Sequence, residues 1–127
     1  EEPRPDTPSG RHRARLTLPV CPLKEIDWHG VKTVIDALFG TGLRRPVEGE
    51  IAGVIRTLNT LEADVVAVDV PSGLDANTGQ PLGVAVEADV TVTMGLPKIG
   101  FQARGADRHV GRVIVADIGY PDALLQP

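Results

Sequence analysis

Two acids and a serine stand where chemistry could be done. Asp69 lies near the end of an apolar run, residues 65–70, and Pro71, Ser72, Gly73 and then Asp75 follow it. A carboxylate at a strand end beside a Ser-Gly turn suits a ligand site at the carboxyl edge of an open α/β sheet. The same spacing also fits a plain strand capped by its own acid, and spacing alone leaves both readings open. Asp36 interrupts a second apolar run, residues 32–39. A carboxylate buried there must be hydrogen-bonded, paired or metal-bound, or its pKa must rise. Gly40-Thr41-Gly42 comes next, a loop that lets backbone approach a ligand closely, although most such loops only turn the chain. Asp117 stands late in a further run, residues 112–118. Lys98 follows Gly95-Leu96-Pro97 and could bring a cation to the site, a solvated lysine being the simpler expectation. His29, in Trp28-His29-Gly30, shows no partner and is expected at the surface.

Elements must bring these groups together. The spacing predicts strands over 32–39, 64–70, 88–94 and 112–118; the first is β-branched and, Asp36 aside, apolar on both faces, which points to a parallel sheet covered on both sides. Thr91 and Thr93 alternate with Val90 and Val92, so one face of the third strand is expected to be polar or to face the site. Ile51, Val54, Ile55, Leu58 and Leu61 recur at helical spacing and predict an amphipathic helix over 47–61, with Pro46 before it and Glu48 and Glu50 in its first turn. A strand–helix–strand unit crosses over right-handed, so the loop after Asp36 and the turn after Asp69 share the carboxyl edge. Residues 101–108 are expected to be a loop or a short turn-like element. The fold class is α/β, a Rossmann-like three-layer α/β/α arrangement with a mostly parallel sheet.

Composition narrows the class of function. The 127 residues suit one domain, and with aromatics at 3% its core must be aliphatic. A net charge of −4 argues against general affinity for nucleic acid or anionic lipid. Arg11, Arg13 and Arg15 are too few to reverse that. Cys21 is the lone cysteine, so neither an internal disulfide nor a cysteine-based metal site is available. No apolar run reaches the ~18 residues of a membrane span. Residues 1–30, with Pro3, Pro5, Pro8 and Gly10, read as a flexible or irregular lead-in in which 16–23 could form a short edge strand. Residues 31–121 read as the domain and 122–127 as an exit segment.

Three segments make the chain recognisable: Val34-Ile35-Asp36-Ala37-Leu38-Phe39-Gly40-Thr41-Gly42, Val68-Asp69-Val70-Pro71-Ser72-Gly73-Leu74-Asp75 and Ala116-Asp117-Ile118-Gly119-Tyr120-Pro121. In that order, with Thr91-Val92-Thr93 and Lys98, they closely resemble the YjeF N-terminal domain family, the NAD(P)H-hydrate (NAD(P)HX) epimerases. The resemblance implies an isomerase of nicotinamide nucleotide repair that interconverts the R and S hydrates of NADH and NADPH. It implies an ADP-dependent dehydratase as the partner activity, on the same chain in many bacteria, and a cytoplasmic location. It implies a bound potassium ion with Asp36 and Ser72 as contacts, and Gly40, Thr41, Gly42, Leu43, Arg44, Arg45, Pro46 and Asp69 as contacts to NADHX or NADPHX. Epimerisation at a hydroxyl-bearing carbon needs a group that gives and takes protons, and Asp69 is the candidate. The family's earlier half, with a Gly-Asn-Asn-Gly-Gly-Asp-Gly loop that grips phosphates, has no counterpart in these residues. The likeness is therefore to the later half of the domain. A sheet lacking its first strands has an unprotected edge, which invites association, a homodimer included. The alternative is a non-catalytic module, since domains of this family also serve as scaffolds in messenger-RNA decapping complexes.

Overall fold

The computed structural model describes residues 26–121 and 123. Arg11, Arg13, Arg15, Cys21 and the strand expected over 16–23 lie outside the described residues. Four strands form one sheet: β1 (Thr33–Asp36), β2 (Asp64–Val68), β3 (Val90–Met94) and β4 (Arg112–Ala116). Every neighbouring pair is parallel and the order is β1-β2-β3-β4. The strands are shorter than the apolar runs that predict them. Asp36 is the last residue of β1 rather than an interruption within it. Asp69 and Asp117 both fall outside their strands.

Helix α1 (Gly49–Leu58) joins β1 to β2 and is likewise shorter than its periodic pattern. It buries Ala52, Val54, Ile55 and Leu58 against Val65, Ala67, Val86 and Ala88. Ile55 is fully buried, a contribution of about 1.5–3 kcal/mol for a side chain of that size. Between β2 and β3 the chain makes a long excursion without regular structure. Asn59, capping α1, brackets it: its Nδ2 donates to Ala85 O at 2.9 Å and its Oδ1 accepts Glu87 N–H at 3.0 Å. Residues 101–108 are more ordered than a loop, since a 3₁₀ turn (Ile99–Gln102) and helix α2 (Asp107–Val110) lead into β4.

The strand order explains which face is covered. Each crossover steps one strand in the same direction, and crossovers of one hand stepping one way lie on one face. Val34, Val65, Ala67, Thr91 and Val113 share that face by register, and both apolar clusters sit there. Ile35, Val66, Val90, Val68, Val92 and Ile114 share the other, on which Ile35 is 61% and Ile114 41% exposed. The parallel α/β class matches the sequence reading. Cover on both faces does not: among the described residues one helical layer is present, because an order without reversal puts none on the second side.

Candidate functional site

The carboxyl ends of β1, β2 and β3 gather the groups singled out in the sequence. The first cluster ties the end of β1 to the turn after β2. Asp36 is 2% exposed and its Oδ2 accepts Ser72 N–H at 2.7 Å. Its Oδ1 receives a longer contact, 3.4 Å, from Leu38 N–H. Ser72 Oγ accepts Phe39 N–H at 2.9 Å. The chain reaches Ser72 through Pro71, and Gly73 at a φ of 92° turns it so tightly that a Cβ there would collide with Val84 O. Among the described residues no basic side chain pairs with Asp36. A buried carboxylate held by backbone N–H groups, with no basic partner among the described residues, is costly to keep charged without further compensation.

The second cluster is built on Asp69. Its N–H still follows the ladder, donating to Val92 O at 2.8 Å, but its φ of 67° makes it the one described non-glycine residue in left-handed conformation. That kink, which Asp tolerates better than most residues, ends the strand and turns the side chain toward β3. Asp69 Oδ1 accepts Thr93 Oγ–H at 3.2 Å and Met94 N–H at 3.0 Å, and pairs with Lys98 Nζ at 2.8 Å. Among the described residues every such contact falls on Oδ1, so Oδ2 is the oxygen left to a ligand. Burial pushes the Asp69 carboxyl up, yet Lys98, Met94 N–H and Thr93 together hold it below its ordinary value. It is therefore ionised at neutral pH. Lys98 Nζ also donates to Met94 O and Leu96 O, both at 3.2 Å, so all three of its protons are engaged.

Lys98 is the residue whose simpler reading, a solvated lysine, the structure overturns. Its sequence signal is the tight Gly95-Leu96-Pro97 turn, which returns the chain onto the end of β3. Thr93 does face the site. Thr91 does not, since its hydroxyl is satisfied in the core by Val110 O at 2.7 Å. Asp117 is exposed and accepts Gly119 N–H in a local turn, apart from both clusters. His29 is exposed, as its lack of a partner predicts.

The loop 40–46 rims two clefts. One of about 460 Å³ is lined by Gly40, Gly42, Leu43, Arg44 and Arg45 with Leu38 and Phe39. Another, about 330 Å³, runs from Thr41 and Arg44 across Ala76 and Asn77 to Pro97, Lys98 and Ile99. Gly40 and Gly42 have ordinary φ, and among the described residues nothing lies within 4 Å of where a Cβ would stand. Their openness is not demanded by packing. Pro46 closes the loop beside a third hollow, lined also by Arg45, Val47 and Glu48. Helix α1 begins only at Gly49, with Glu48 at its cap and Glu50 in its first turn, so its dipole faces acids of its own chain. Any phosphate at this edge would meet the loop amides, Arg44 and Arg45 rather than the helix.

A parallel α/β sheet with ionised and oxygen-bearing side chains gathered at its carboxyl edge defines a Rossmann-like ligand-binding domain. The chain belongs to the family described as YjeF-related protein N-terminus, whose sequence profile matches residues 6–100. It is similar to a NAD(P)H-hydrate epimerase of Limosilactobacillus fermentum, 54% identical over 84 residues, which is 66% of this chain and 40% of that protein. It is similar to a bifunctional NAD(P)H-hydrate repair enzyme Nnr of Thermofilum pendens, 50% identical over 93 residues, covering 73% of this chain and 18% of the relative. A relative of the same description from Salinibacter ruber is 42% identical over 110 residues, covering 87% and 19%. The chain thus spans less than half the length of these curated relatives.

Proposed function

We propose that this chain carries the proton-handling part of an NAD(P)H-hydrate epimerase, an isomerase that interconverts the R and S hydrates of NADH and NADPH. The observation that carries the reading is Asp69, ionised, held by three partners on Oδ1 and open on Oδ2. Inverting a hydroxyl-bearing carbon needs a base that accepts a proton and returns it after the bond change. A carboxylate fixed through one oxygen leaves the other oriented for that task. The open space at Gly40 and Gly42 and the guanidinium groups of Arg44 and Arg45 suit the approach of a dinucleotide pyrophosphate. On this reading Gly40, Thr41, Gly42, Leu43, Arg44, Arg45 and Pro46 form the substrate loop.

The donor set of the first cluster fits a hard monovalent cation such as potassium. It is all oxygen, it carries one uncompensated buried carboxylate, and Asp36 Oδ1 has spare accepting capacity. Asp36 and Ser72 would hold the ion, whose chemistry there would be charge neutralisation beside the substrate loop. Among the described residues no group of three or more acids, histidines or cysteines is gathered to hold a metal. The remaining ligands would be carbonyls and water.

Some relatives are named bifunctional repair enzymes, which supports a second repair activity as partner; on this reading it is an ADP-dependent dehydratase, fused or separate. The reading places the protein in the cytoplasm. No helix among the described residues is long and apolar enough to cross a membrane. The sheet face around Ile35 and Ile114, uncovered among the described residues, favours self-association, with a homodimer as the assembly to look for. The test of function is chromatographic: R-NADPHX is incubated with the protein in potassium buffer and conversion to the S form is followed. Asp69→Asn keeps the acceptor on Oδ1 and tolerates the left-handed backbone. Acceleration by wild type and none by the variant is expected, and equal rates for both would refute the role of Asp69.

A further inference from the structure

A pocket of about 390 Å³ is lined by Met94, Leu96, Pro97, Lys98 and Tyr120 and adjoins the Arg44 cleft through Pro97 and Lys98. Its wall is preorganised. Leu96 N–H donates to Met94 O at 2.8 Å, Gly95 N–H to Ala116 O at 2.9 Å, and Lys98 Nζ clasps both Met94 O and Leu96 O. The Tyr120 ring lies against Gly95, whose φ is 72° and where any Cβ would strike that ring. Met94, Leu96 and Tyr120 are each more than two-fifths exposed, an apolar and aromatic surface beside a charged edge.

Pro97 and Lys98 line both hollows. On one side stand Arg44, Thr41 and Asn77, polar and cationic. On the other stand Met94, Leu96 and Tyr120. A ligand that straddles this wall therefore has an anionic, hydroxyl-rich part and an uncharged ring. Met94, whose N–H holds Asp69 Oδ1, lines the ring side, and Lys98, which pairs with the same oxygen, lines both hollows. Lys98, its three protons engaged, offers the ring no hydrogen bond, and among the described residues the lining holds no carboxylate to stabilise a cationic ring.

We propose that the Met94–Leu96–Tyr120 pocket seats the uncharged, hydrated six-membered ring of the substrate, with Tyr120 as its stacking face and Lys98 as the positioning residue that joins pocket to Asp69. This rests on the epimerase reading and adds where the reacting ring lies. The chain has one methionine and one tyrosine, so both pocket reporters are unique labels. The protein is prepared with ¹³C-methyl methionine, and intermolecular NOEs from Met94 are recorded with R-NADPHX in potassium buffer. In parallel, affinities for R-NADPHX and for 2′-phospho-ADP-ribose, which lacks the ring, are measured for wild type, Tyr120→Phe and Tyr120→Ala.

NOEs to the hydrated-ring protons are expected. Tyr120→Ala should weaken NADPHX about threefold to tenfold, the scale of one lost aromatic contact, while Tyr120→Phe and the affinity for the ring-less probe stay unchanged. NOEs to adenine protons alone, or equal weakening of both probes, would overturn the ring placement and leave the nucleotide reading standing. Failure of both probes to bind would overturn the two together.

Discussion

Two carboxylates end neighbouring strands of this sheet, and their surroundings could hardly differ more. Asp36 is sealed, satisfied by backbone N–H groups and without a basic partner among the described residues. Asp69 is partly open, paired with Lys98 and bonded through one oxygen only. The first arrangement joins strands: it fixes the turn after β2 to the end of β1 and suits a structural or cation-binding role. The second leaves one carboxylate oxygen without a partner among the described residues, on a kinked backbone, which suits proton transfer. The same residue type thus serves two purposes, and the difference lies in which atoms the fold brings to each carboxylate.

The comparison can be broken by substitution. The largest effect is expected for Asp69→Asn: epimerisation falls by at least about 100-fold, the scale of lost acid–base catalysis, with the thermal midpoint nearly unchanged. A large drop in midpoint would mean that Asp69 is structural like its neighbour. Next comes Asp36→Ala, which orphans the buried Ser72 N–H and should cost about 1–3 kcal/mol in denaturant unfolding. Ser72→Ala orphans Phe39 N–H and belongs in the same range.

Lys98→Met sharpens the contrast through pH. With Lys98 gone, burial of Asp69 is less opposed and its pKa rises, so the acid limb of the rate profile moves to higher pH. The stability sign follows from the depressed folded-state value. Pairing stabilises the fold above the ordinary carboxyl pKa of 3.8 and is lost as pH falls through the lower folded value. Acid unfolding curves of wild type and Lys98→Met should therefore differ above that range and converge below it. The smallest effect is expected for the cation. Exchanging tetramethylammonium for potassium should raise the melting temperature of wild type by a few degrees and that of Asp36→Asn not at all. An equal rise in both would remove Asp36 from the ion's ligands.

Much of this was legible in the residues. The apolar runs around Val34, Val66, Val92 and Ile114 announced parallel strands, because near-continuous apolar runs are the pattern of such strands, although Ile35 and Ile114 lie exposed on the second face. The spacing of Val54, Ile55 and Leu58 announced α1. The segments around Asp36, Asp69 and Ser72 announced the family. Other features were not legible. Asp117 looks like Asp69 in sequence, an acid late in an apolar run, yet it caps a local turn. No local pattern separates the two, since the difference is that Asp69 has β3 and Lys98 beside it. Lys98 itself carried a weak cue, because a Gly-Leu-Pro turn limits where the chain goes but not which carbonyls will receive the amine.

The residues alone specify the four strands, α1, the parallel class and the family, which follow from local periodicity and from residue types in order, but not α2. The tertiary structure alone decided that one face of the sheet is covered, that Asp36 and Ser72 lock together while Asp69 and Lys98 pair, and that Tyr120 returns to Gly95. Those are contacts across 24 to 36 residues of chain, such as Asp69 to Met94 and Asp36 to Ser72. They depend on strand order and on the hand of the crossovers, quantities that no short stretch of residues encodes.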